Sequence, residues 1–246
     1  MLQGKTVLIL RRLRRSYQAF ICTEEPIATA EEPASPAWKS PPVVPPVLKE
    51  GQIDVRDLIA RYDAARHVEL ADAYFEPRMD NIALRRKPFI VANEMIHILT
   101  AFAHVVDGLR LFPQLRLLDF GAGTAWSSRY LASLGCQVTA IDVSKNALQI
   151  GRSIHQEDPM TRDLPIEFRV SDGRSIPVAD KSFDRILSFD AFHHVADQKT
   201  VLAEFSRVLR DDGVAAFAEP SPYHSLAPSS QFEMQTYDVI ENDIRV

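Results

Sequence analysis

The feature that most constrains the fold is a series of five short apolar segments that alternate with helical segments between positions 115 and 220. The five segments are Arg116–Phe120, Gln137–Asp142, Ile166–Val170, Phe183–Phe189 and Val214–Ala218. Strands separated by amphipathic helices are typical of βαβ units, in which the strands lie parallel in one sheet and helices cover its faces. The sequence therefore predicts an α/β fold with a doubly wound, mostly parallel sheet.

The chain before these strands divides by composition into three segments. Seven of the 16 prolines lie between Pro26 and Pro46, and proline sustains neither a helix nor a central strand. We expect a basic arm at 1–25, a proline-rich linker at 26–50 that isolates it, a helical cap at 51–112 and the sheet domain at 113–246. Arginines follow the apolar run at 7–10, so the arm is either a solvated segment or a clamp for an anionic partner or membrane surface.

Acidic side chains stand at or just after the end of every predicted strand. They are Asp119, Asp142, Asp172, Asp190 and Glu219. Open α/β sheets bind ligands at the carboxyl ends of their strands, so we expect these residues at one binding site. Gly121 and Gly123 follow the first strand, and their lack of a Cβ atom lets the backbone approach a ligand closely.

The spacing of two of these acids predicts a ligand that carries a ribose. Asp142 lies 142 − 119 = 23 positions after Asp119, the spacing at which nucleotide-binding folds present a carboxylate to ribose hydroxyls. The dinucleotide fingerprint needs a third glycine, but that position holds Trp126. An anion at Asp119 would repel a pyrophosphate and suit a cationic ligand. S-adenosylmethionine combines a ribose with cationic groups and carries no phosphate.

Five motifs, in order, resemble those of class I S-adenosylmethionine-dependent methyltransferases of the small-molecule branch. They are Leu117-Leu-Asp-Phe-Gly-Ala-Gly-Thr, Val138-Thr-Ala-Ile-Asp-Val-Ser, Val170-Ser-Asp-Gly, Phe183-Asp-Arg-Ile-Leu-Ser-Phe-Asp-Ala-Phe-His-His-Val and Val208-Leu-Arg-Asp-Asp-Gly-Val. The resemblance implies a Rossmann-like methyltransferase fold and S-adenosyl-L-methionine as cofactor. It implies these cofactor-binding residues: Asp119, Gly121, Ala122, Gly123, Asp142, Val143, Asp172, Gly173 and Asp190. The segment from Glu219 to Ile244 also resembles methyltransferase modules of polysaccharide-biosynthesis proteins.

The expected reaction is methyl transfer to a small-molecule or saccharide acceptor, at oxygen. A hydroxyl acceptor needs a base, for which His193, His194 and Glu219 are the candidates. The two histidines could instead serve packing or substrate contact, and Trp126 could shield the cofactor or pack under the cap. We expect no metal site, because no ligand set has a recognised spacing. The alternatives are a non-catalytic cofactor-binding module and an NAD(P)-dependent oxidoreductase.

Composition limits the partners. The formal net charge of −5 argues against a nucleic-acid partner, no apolar run is long enough to span a bilayer, and the two cysteines suit the cytoplasm. Only 246 − 220 = 26 residues follow Pro220, whereas the family has two more strands after strand five. We therefore expect an open edge at strand five that a second copy of the chain or a missing continuation covers. If neither does, the helices before Leu115 or the arm before Pro26 would have to cover that edge.

Overall fold

A computed structural model describes residues 5–13, 16–22, 47–220 and 222–244. Its strands are β1 (Lys5–Leu13), β2 (Ser16–Cys22), β3 (Arg116–Phe120), β4 (Gln137–Asp142), β5 (Ile166–Val170), β6 (Phe183–Phe189) and β7 (Leu209–Pro220). Its helices are α1 (Val55–Arg61), α2 (Ala64–Phe75), α3 (Ile82–Arg86), α4 (Ala92–Leu109), α5 (Trp126–Ser133), α6 (Lys145–Glu157), α7 (Gln198–Val208) and α8 (Pro228–Tyr237).

The strands of the described residues form one sheet in the order β2-β1-β7-β6-β3-β4-β5. The five strands from β3 to β7 are parallel to one another, and β3 lies at the centre between β4 and β6. The predicted α/β fold and doubly wound parallel sheet are confirmed. The carboxyl ends of β3, β4 and β6 consequently meet along one edge, which is where such sheets bind ligands.

The N-terminal segment is part of this sheet, contrary to the expectation of an isolated arm. Strand β1 runs antiparallel along the outer edge of β7, with Lys5 opposite Pro220 and Arg11 opposite Val214, and β2 pairs antiparallel with β1. The predicted open edge is therefore wrong, because β1 supplies the main-chain partners that β7 would otherwise lack. The two strand positions that seemed to be missing after Pro220 are filled from the N-terminus.

Helices pack on both faces of the sheet because the strand side chains alternate. Leu117 of β3 faces the side covered by α4 and α5, where Val105 and Leu131 are fully buried. Leu118 faces the opposite side and packs with Phe205 of α7. Helix α4 thus packs against one face of the sheet. It does not lie over the cavity, where the predicted helical cap at 51–112 would have placed it.

The cap over the carboxyl edge of the sheet is smaller than expected. Val55 and Leu58 of α1 pack with Met234 of α8 and with Ile240. Helix α2 follows after a break at Asp63, whose side chain accepts a hydrogen bond from the N–H of Arg66 and so caps the helix. Segments that precede and follow the five parallel strands therefore build this cap together.

Most of the proline-rich linker predicted at 26–50, namely positions 26–46, lies outside the described residues. Among the described helices, none has both the length and the apolar character that crossing a bilayer requires.

Candidate active site

A cavity of about 680 Å³ opens at the carboxyl edge of the parallel strands. Its walls come from the loops after β3, β4, β5 and β6, from helix α2 and from the segment after β7. Seven of the nine predicted cofactor-binding residues line it: Gly121, Ala122, Gly123, Asp142, Val143, Gly173 and Asp190. His193 and His194 also line it, whereas Asp119, Asp172 and Glu219 do not.

The two glycines after β3 have different structural roles. Both adopt a left-handed backbone, with φ of +66° at Gly121 and +54° at Gly123. A Cβ atom on Gly121 would lie 2.3 Å from the Cβ of Ala191, so this position must be glycine for the loops after β3 and β6 to meet. A Cβ on Gly123 would meet nothing within 4 Å. Gly123 therefore leaves open space at the cavity wall.

Asp142 at the end of β4 is held by two backbone N–H groups. Its Oδ2 accepts from the N–H of Gly123 and its Oδ1 from the N–H of Ser144, both at 2.8 Å. Burial raises the pKa of Asp142 above its usual value, and these hydrogen bonds oppose that rise. Each carboxylate oxygen has a second lone pair, so the fixed carboxylate can still accept hydrogen bonds from a ligand in the cavity.

Helix α2 is anchored beside Asp142 by a small hydrogen-bond network. Oδ1 of Asp72 accepts from Oγ of Ser144 at 2.8 Å and from the N–H of Asn146 at 3.2 Å. Oγ of Ser144 in turn accepts from the N–H of Ala147, which makes Ser144 the N-cap of α6. The network fixes the cap against the strand end that carries Asp142.

Asp119 lies behind the cavity wall, with 1% of its surface exposed. Its Oδ2 accepts from the hydroxyls of Ser127 and Ser128, at 2.7 and 2.6 Å, in the first turn of α5. Burial raises the pKa of Asp119 to about 6, although the serine hydroxyls lower it. The structure thus gives this carboxylate a positioning role for α5 and the glycine loop.

Asp172 also points away from the cavity, while its neighbour Gly173 lines it. Oδ1 of Asp172 accepts from the N–H groups of Arg174 and Ser175 at 2.9 and 2.7 Å, which closes a local turn. A Cβ atom on Gly173 would lie 2.9 Å from Cγ1 of Val143. The turn therefore brings a side-chain-free backbone against Val143, and these two residues form one side of the cavity.

Trp126, which replaces the third glycine of the dinucleotide fingerprint, is a wall of the cavity and a core residue at once. Its side chain is 3% exposed and packs edge-on against Phe189, with ring centroids 5.2 Å apart. It also contacts Phe102 of α4, at 5.1 Å between centroids. The indole thus packs in the core against α4 and also lines the cavity, and it occupies space that the dinucleotide fold needs for close helix packing.

Glu219 at the end of β7 is buried beneath the turn that carries the two histidines. Oε1 accepts from Oγ of Ser188 and from the N–H of Phe192, both at 2.9 Å, and Oε2 lies 2.8 Å from Nδ1 of His193. With 2% of its surface exposed, Glu219 cannot meet an acceptor directly. It holds His193, and the ionised carboxylate is satisfied when the imidazole carries its proton on Nδ1.

The two adjacent histidines point into the cavity with different surroundings. Burial lowers the pKa of His193 well below its usual value, so its imidazole is neutral near pH 7. His194 is partly exposed, and its Nδ1 lies 2.7 Å from the carbonyl oxygen of Ile240. In both rings Nδ1 is engaged, so Nε2 is the nitrogen that remains for a ligand.

Glu241 and His224 complete this end of the cavity, and of the two only Glu241 received no role from the sequence. Nε2 of His224 lies 2.5 Å from Oε2 of Glu241. Glu241 is buried, yet the hydrogen bond from His224 and the nearby imidazoles lower its pKa to about 2. The N–H of Asn242 donates to the carbonyl of His193 at 2.8 Å, which docks this segment on the histidine turn. These residues come together because the segment around Asn242 docks on the histidine turn, and not because of a local sequence motif.

His67 on α2 is a further histidine that sequence reasoning missed. It lines the cavity from the cap side, and burial lowers its pKa to about 4. Its position within a helix of ordinary composition gave no signal.

The parallel sheet, the glycine loop after its central strand and the carboxylate after the next strand define a nucleotide-binding α/β domain of the Rossmann-like class. A protein-family comparison assigns residues 118–217 to the family described as "Methyltransferase domain". Residues 118–217 thus match a methyltransferase domain, and this family and the fold imply S-adenosylmethionine as the cofactor of that domain.

Similar proteins include a sarcosine/dimethylglycine N-methyltransferase from Halorhodospira halochloris, 38% identical over 112 residues, covering 45% of this chain and 39% of that protein. A demethylmenaquinone methyltransferase from Renibacterium salmoninarum is 35% identical, covering 48% and 47%. A chain in the solved complex of the Haloferax volcanii Trm112 methyltransferase activator has a TM-score of 0.53 at 19% identity, covering 70% and 69%. The matched segment spans less than half the length of the two enzymes.

Proposed function

We propose that this protein transfers the methyl group of S-adenosylmethionine to an oxygen atom of a small-molecule or saccharide acceptor. The observation that carries the proposal is one continuous cavity with two chemically different ends. One end has the glycine loop and Asp142, and the other has the imidazoles of His193, His194 and His224 with the carboxylate of Glu241. A methyl donor and an acceptor could therefore meet within it.

The cofactor end suits a ribose-bearing ligand. Asp142 presents a carboxylate that two N–H groups hold in place, and vicinal hydroxyls donate well to such an acceptor. Gly123 leaves space for close approach, and Val143 and Gly173 provide a flat apolar side. In this proposal Gly121, Ala122 and Asp190 shape the site, and Asp119 and Asp172 support it from behind.

The acceptor end suits a hydroxyl that must lose its proton. When bound, S-adenosylmethionine supplies a methyl group already activated by a sulfonium, so the protein has to align the acceptor and exclude water. His193 and His194 both line the cavity with Nδ1 engaged, so Nε2 of either ring is the nitrogen that would receive the proton of an acceptor hydroxyl. Glu219 acts through His193, since its own carboxylate is enclosed by donors. It is therefore a positioning residue.

A saccharide is the acceptor class that the polar lining favours. Ser230, Glu233 and Asp238 line the same end as His224, and together they offer donors and acceptors for several hydroxyls. An amine is the competing acceptor, because carboxylates line this end and one of the similar enzymes is an N-methyltransferase.

The first experiment tests the cofactor. S-adenosylhomocysteine should bind the purified protein and raise its melting temperature, whereas NADH should not. The Asp142→Ala variant should lose at least about tenfold in affinity by calorimetry, since each charge-assisted hydrogen bond is worth about 1.5–3 kcal/mol. Asp212→Asn is the control, because that side chain is 89% exposed on β7. Stabilisation by NADH, or unchanged affinity in Asp142→Ala, would refute the assignment.

The second experiment tests the acceptor. Methyl transfer from labelled S-adenosylmethionine should be measured with matched sugars and small phenols, and with the corresponding amines. Transfer of the label to the hydroxyl compounds would support the proposal. Transfer to the amines alone would show that the acceptor atom is nitrogen and not oxygen. Cofactor binding without transfer to any acceptor in a broad panel would favour a non-catalytic module.

A further inference from the structure

The acceptor end of the cavity contains three side chains whose donor atoms converge. His193, His194 and Glu241, here called the His–Glu cluster, each offer one ligand atom, and these atoms all lie within 4.8 Å of one another. Nε2 of His193 is 4.0 Å from Oε2 of Glu241, and the His194 ring lies beside the same carboxylate, with its other nitrogen, Nδ1, 3.5 Å from Oε1. Two imidazoles and one carboxylate form a donor set that binds divalent transition metals.

The surroundings of the cluster match those of metal-binding histidines. A metal-ligating imidazole almost always donates its other N–H to a carboxylate or a backbone carbonyl. Here Nδ1 of His193 lies 2.8 Å from Glu219, and Nδ1 of His194 lies 2.7 Å from the carbonyl of Ile240. Both arrangements fix the ring and leave Nε2 as the unprotonated atom.

The carboxylate of the cluster is also held in place by a neighbour. His224 contacts Oε2 of Glu241 at 2.5 Å, and Oγ of Ser230 lies 3.0 Å from the same imidazole nitrogen. Among the described residues, Nε2 of His193 has no hydrogen-bond partner, since Glu241 is beyond hydrogen-bond distance. The cluster thus has oriented ligands and an opening toward the cavity.

We propose that His193, His194 and Glu241 bind one divalent transition-metal ion, of the Zn²⁺ or Fe²⁺ class, at the acceptor end of the cavity. Imidazole ligands favour these ions over Mg²⁺ and Ca²⁺, which prefer oxygen ligands. With metal–ligand bonds of about 2.1 Å, opposite ligands lie at most about 4.2 Å apart, so the cluster needs to close by roughly half an ångström. A small shift of the partly exposed His194 side chain, with its contact to Ile240 kept, would provide that movement.

Three protein ligands leave further coordination positions for an acceptor. A hydroxyl bound to such an ion would have a lowered pKa, so it would lose its proton to solvent water more readily and leave the alkoxide that oxygen methylation requires. This consequence rests on the proposed function, whereas metal binding itself does not. The acceptors would then be compounds whose hydroxyl, or pair of neighbouring hydroxyls, can ligate the ion.

Calorimetry with Zn²⁺ on the full chain, previously dialysed against a chelator, tests the proposal. We expect one strong site, and much weaker binding of Mg²⁺. His194→Ala and Glu241→Gln should each weaken Zn²⁺ binding at least tenfold. The matched control is His97→Ala, which removes an exposed histidine of α4 away from the cavity and should leave the affinity unchanged. Melting curves and S-adenosylhomocysteine titrations of the same samples verify that each variant is folded.

The outcomes separate this inference from the proposed function. Absence of a strong Zn²⁺ site, or equal affinity in the wild type and both cluster variants, would overturn the metal site; in the second case the zinc is an adventitious ion only. Either result with normal S-adenosylhomocysteine binding would leave the proposed function intact. Failure of S-adenosylhomocysteine to bind would overturn the proposed function without affecting the zinc measurement.

Discussion

Gly121 and Ala191 approach so closely that a single added methyl group at position 121 would lie 2.3 Å from the Cβ of Ala191. The contact joins the loop after β3 to the loop after β6. It thereby sets the distance between the cofactor end of the cavity and the turn that carries His193 and His194.

We expect Gly121→Ala to destabilise the protein strongly. Forced contacts in a packed region cost about 1–3 kcal/mol, and a left-handed alanine about 1–2 kcal/mol more. Gly123→Ala is the matched control, since it has the same backbone cost and no clash. The free energy of unfolding, measured with denaturant, should therefore be clearly lower for Gly121→Ala than for Gly123→Ala. Gly123→Ala should instead weaken the binding of S-adenosylhomocysteine. Equal stability of the two variants would contradict the contact.

Asp119 should make stability depend on pH. Its pKa rises from 3.8 to about 6 in the folded state, so between these values the native protein holds a proton that the unfolded chain has lost. Stability therefore falls as pH rises through this window, by about 3 kcal/mol at 1.36 kcal/mol per pKa unit. Asp119→Asn should remove this loss. Unfolding of both proteins at pH 4 and pH 7 measures it, and parallel pH curves would show that Asp119 does not titrate there.

Trp126 should report cofactor binding by fluorescence. The chain has two tryptophans, and Trp126 lines the cavity, whereas Trp38 lies outside the described residues. S-adenosylhomocysteine should change the emission of the wild type and of Trp38→Phe, and it should not change that of Trp126→Phe. Calorimetry should confirm that Trp126→Phe, whose emission does not change, still binds S-adenosylhomocysteine. A response that persists in Trp126→Phe and vanishes in Trp38→Phe would place the ligand elsewhere.

The N-terminal hairpin of β1 and β2 should be needed for a stable protein that does not self-associate. Removing residues 1–25 would uncover the edge of β7 from Val214 to Pro220, and unpaired edges recruit other chains. The truncated protein should melt at a lower temperature and self-associate in light scattering, relative to the full chain under the same conditions. A truncated monomer of unchanged melting temperature would mean that the β1–β7 pairing contributes nothing to stability.

The sequence by itself determined the parallel sheet and the group of strand-end residues that line the cavity. Four of its strands, including Arg116–Phe120 and Gln137–Asp142, have the predicted bounds, and the fifth lies within β7. These features can be predicted because the spacing of apolar residues, the glycines and the acidic residues at strand ends are all local signals in the sequence. Asp142 and the glycine loop belong to consecutive βα units, so their meeting follows from the order of the chain.

Only the tertiary structure decided the edge of β7 and the acceptor end. Strand β1 pairs with a segment about 200 residues away, and no local pattern specifies such a partner. Glu241 reaches His193 and His194 because the chain after α8 docks on their turn through Asn242 and Ile240. Glu219 looked like a candidate base, yet five neighbouring N–H and O–H groups enclose it. Burial and long-range contacts set these roles, and both depend on the packed fold and not on the spacing of residues along the chain.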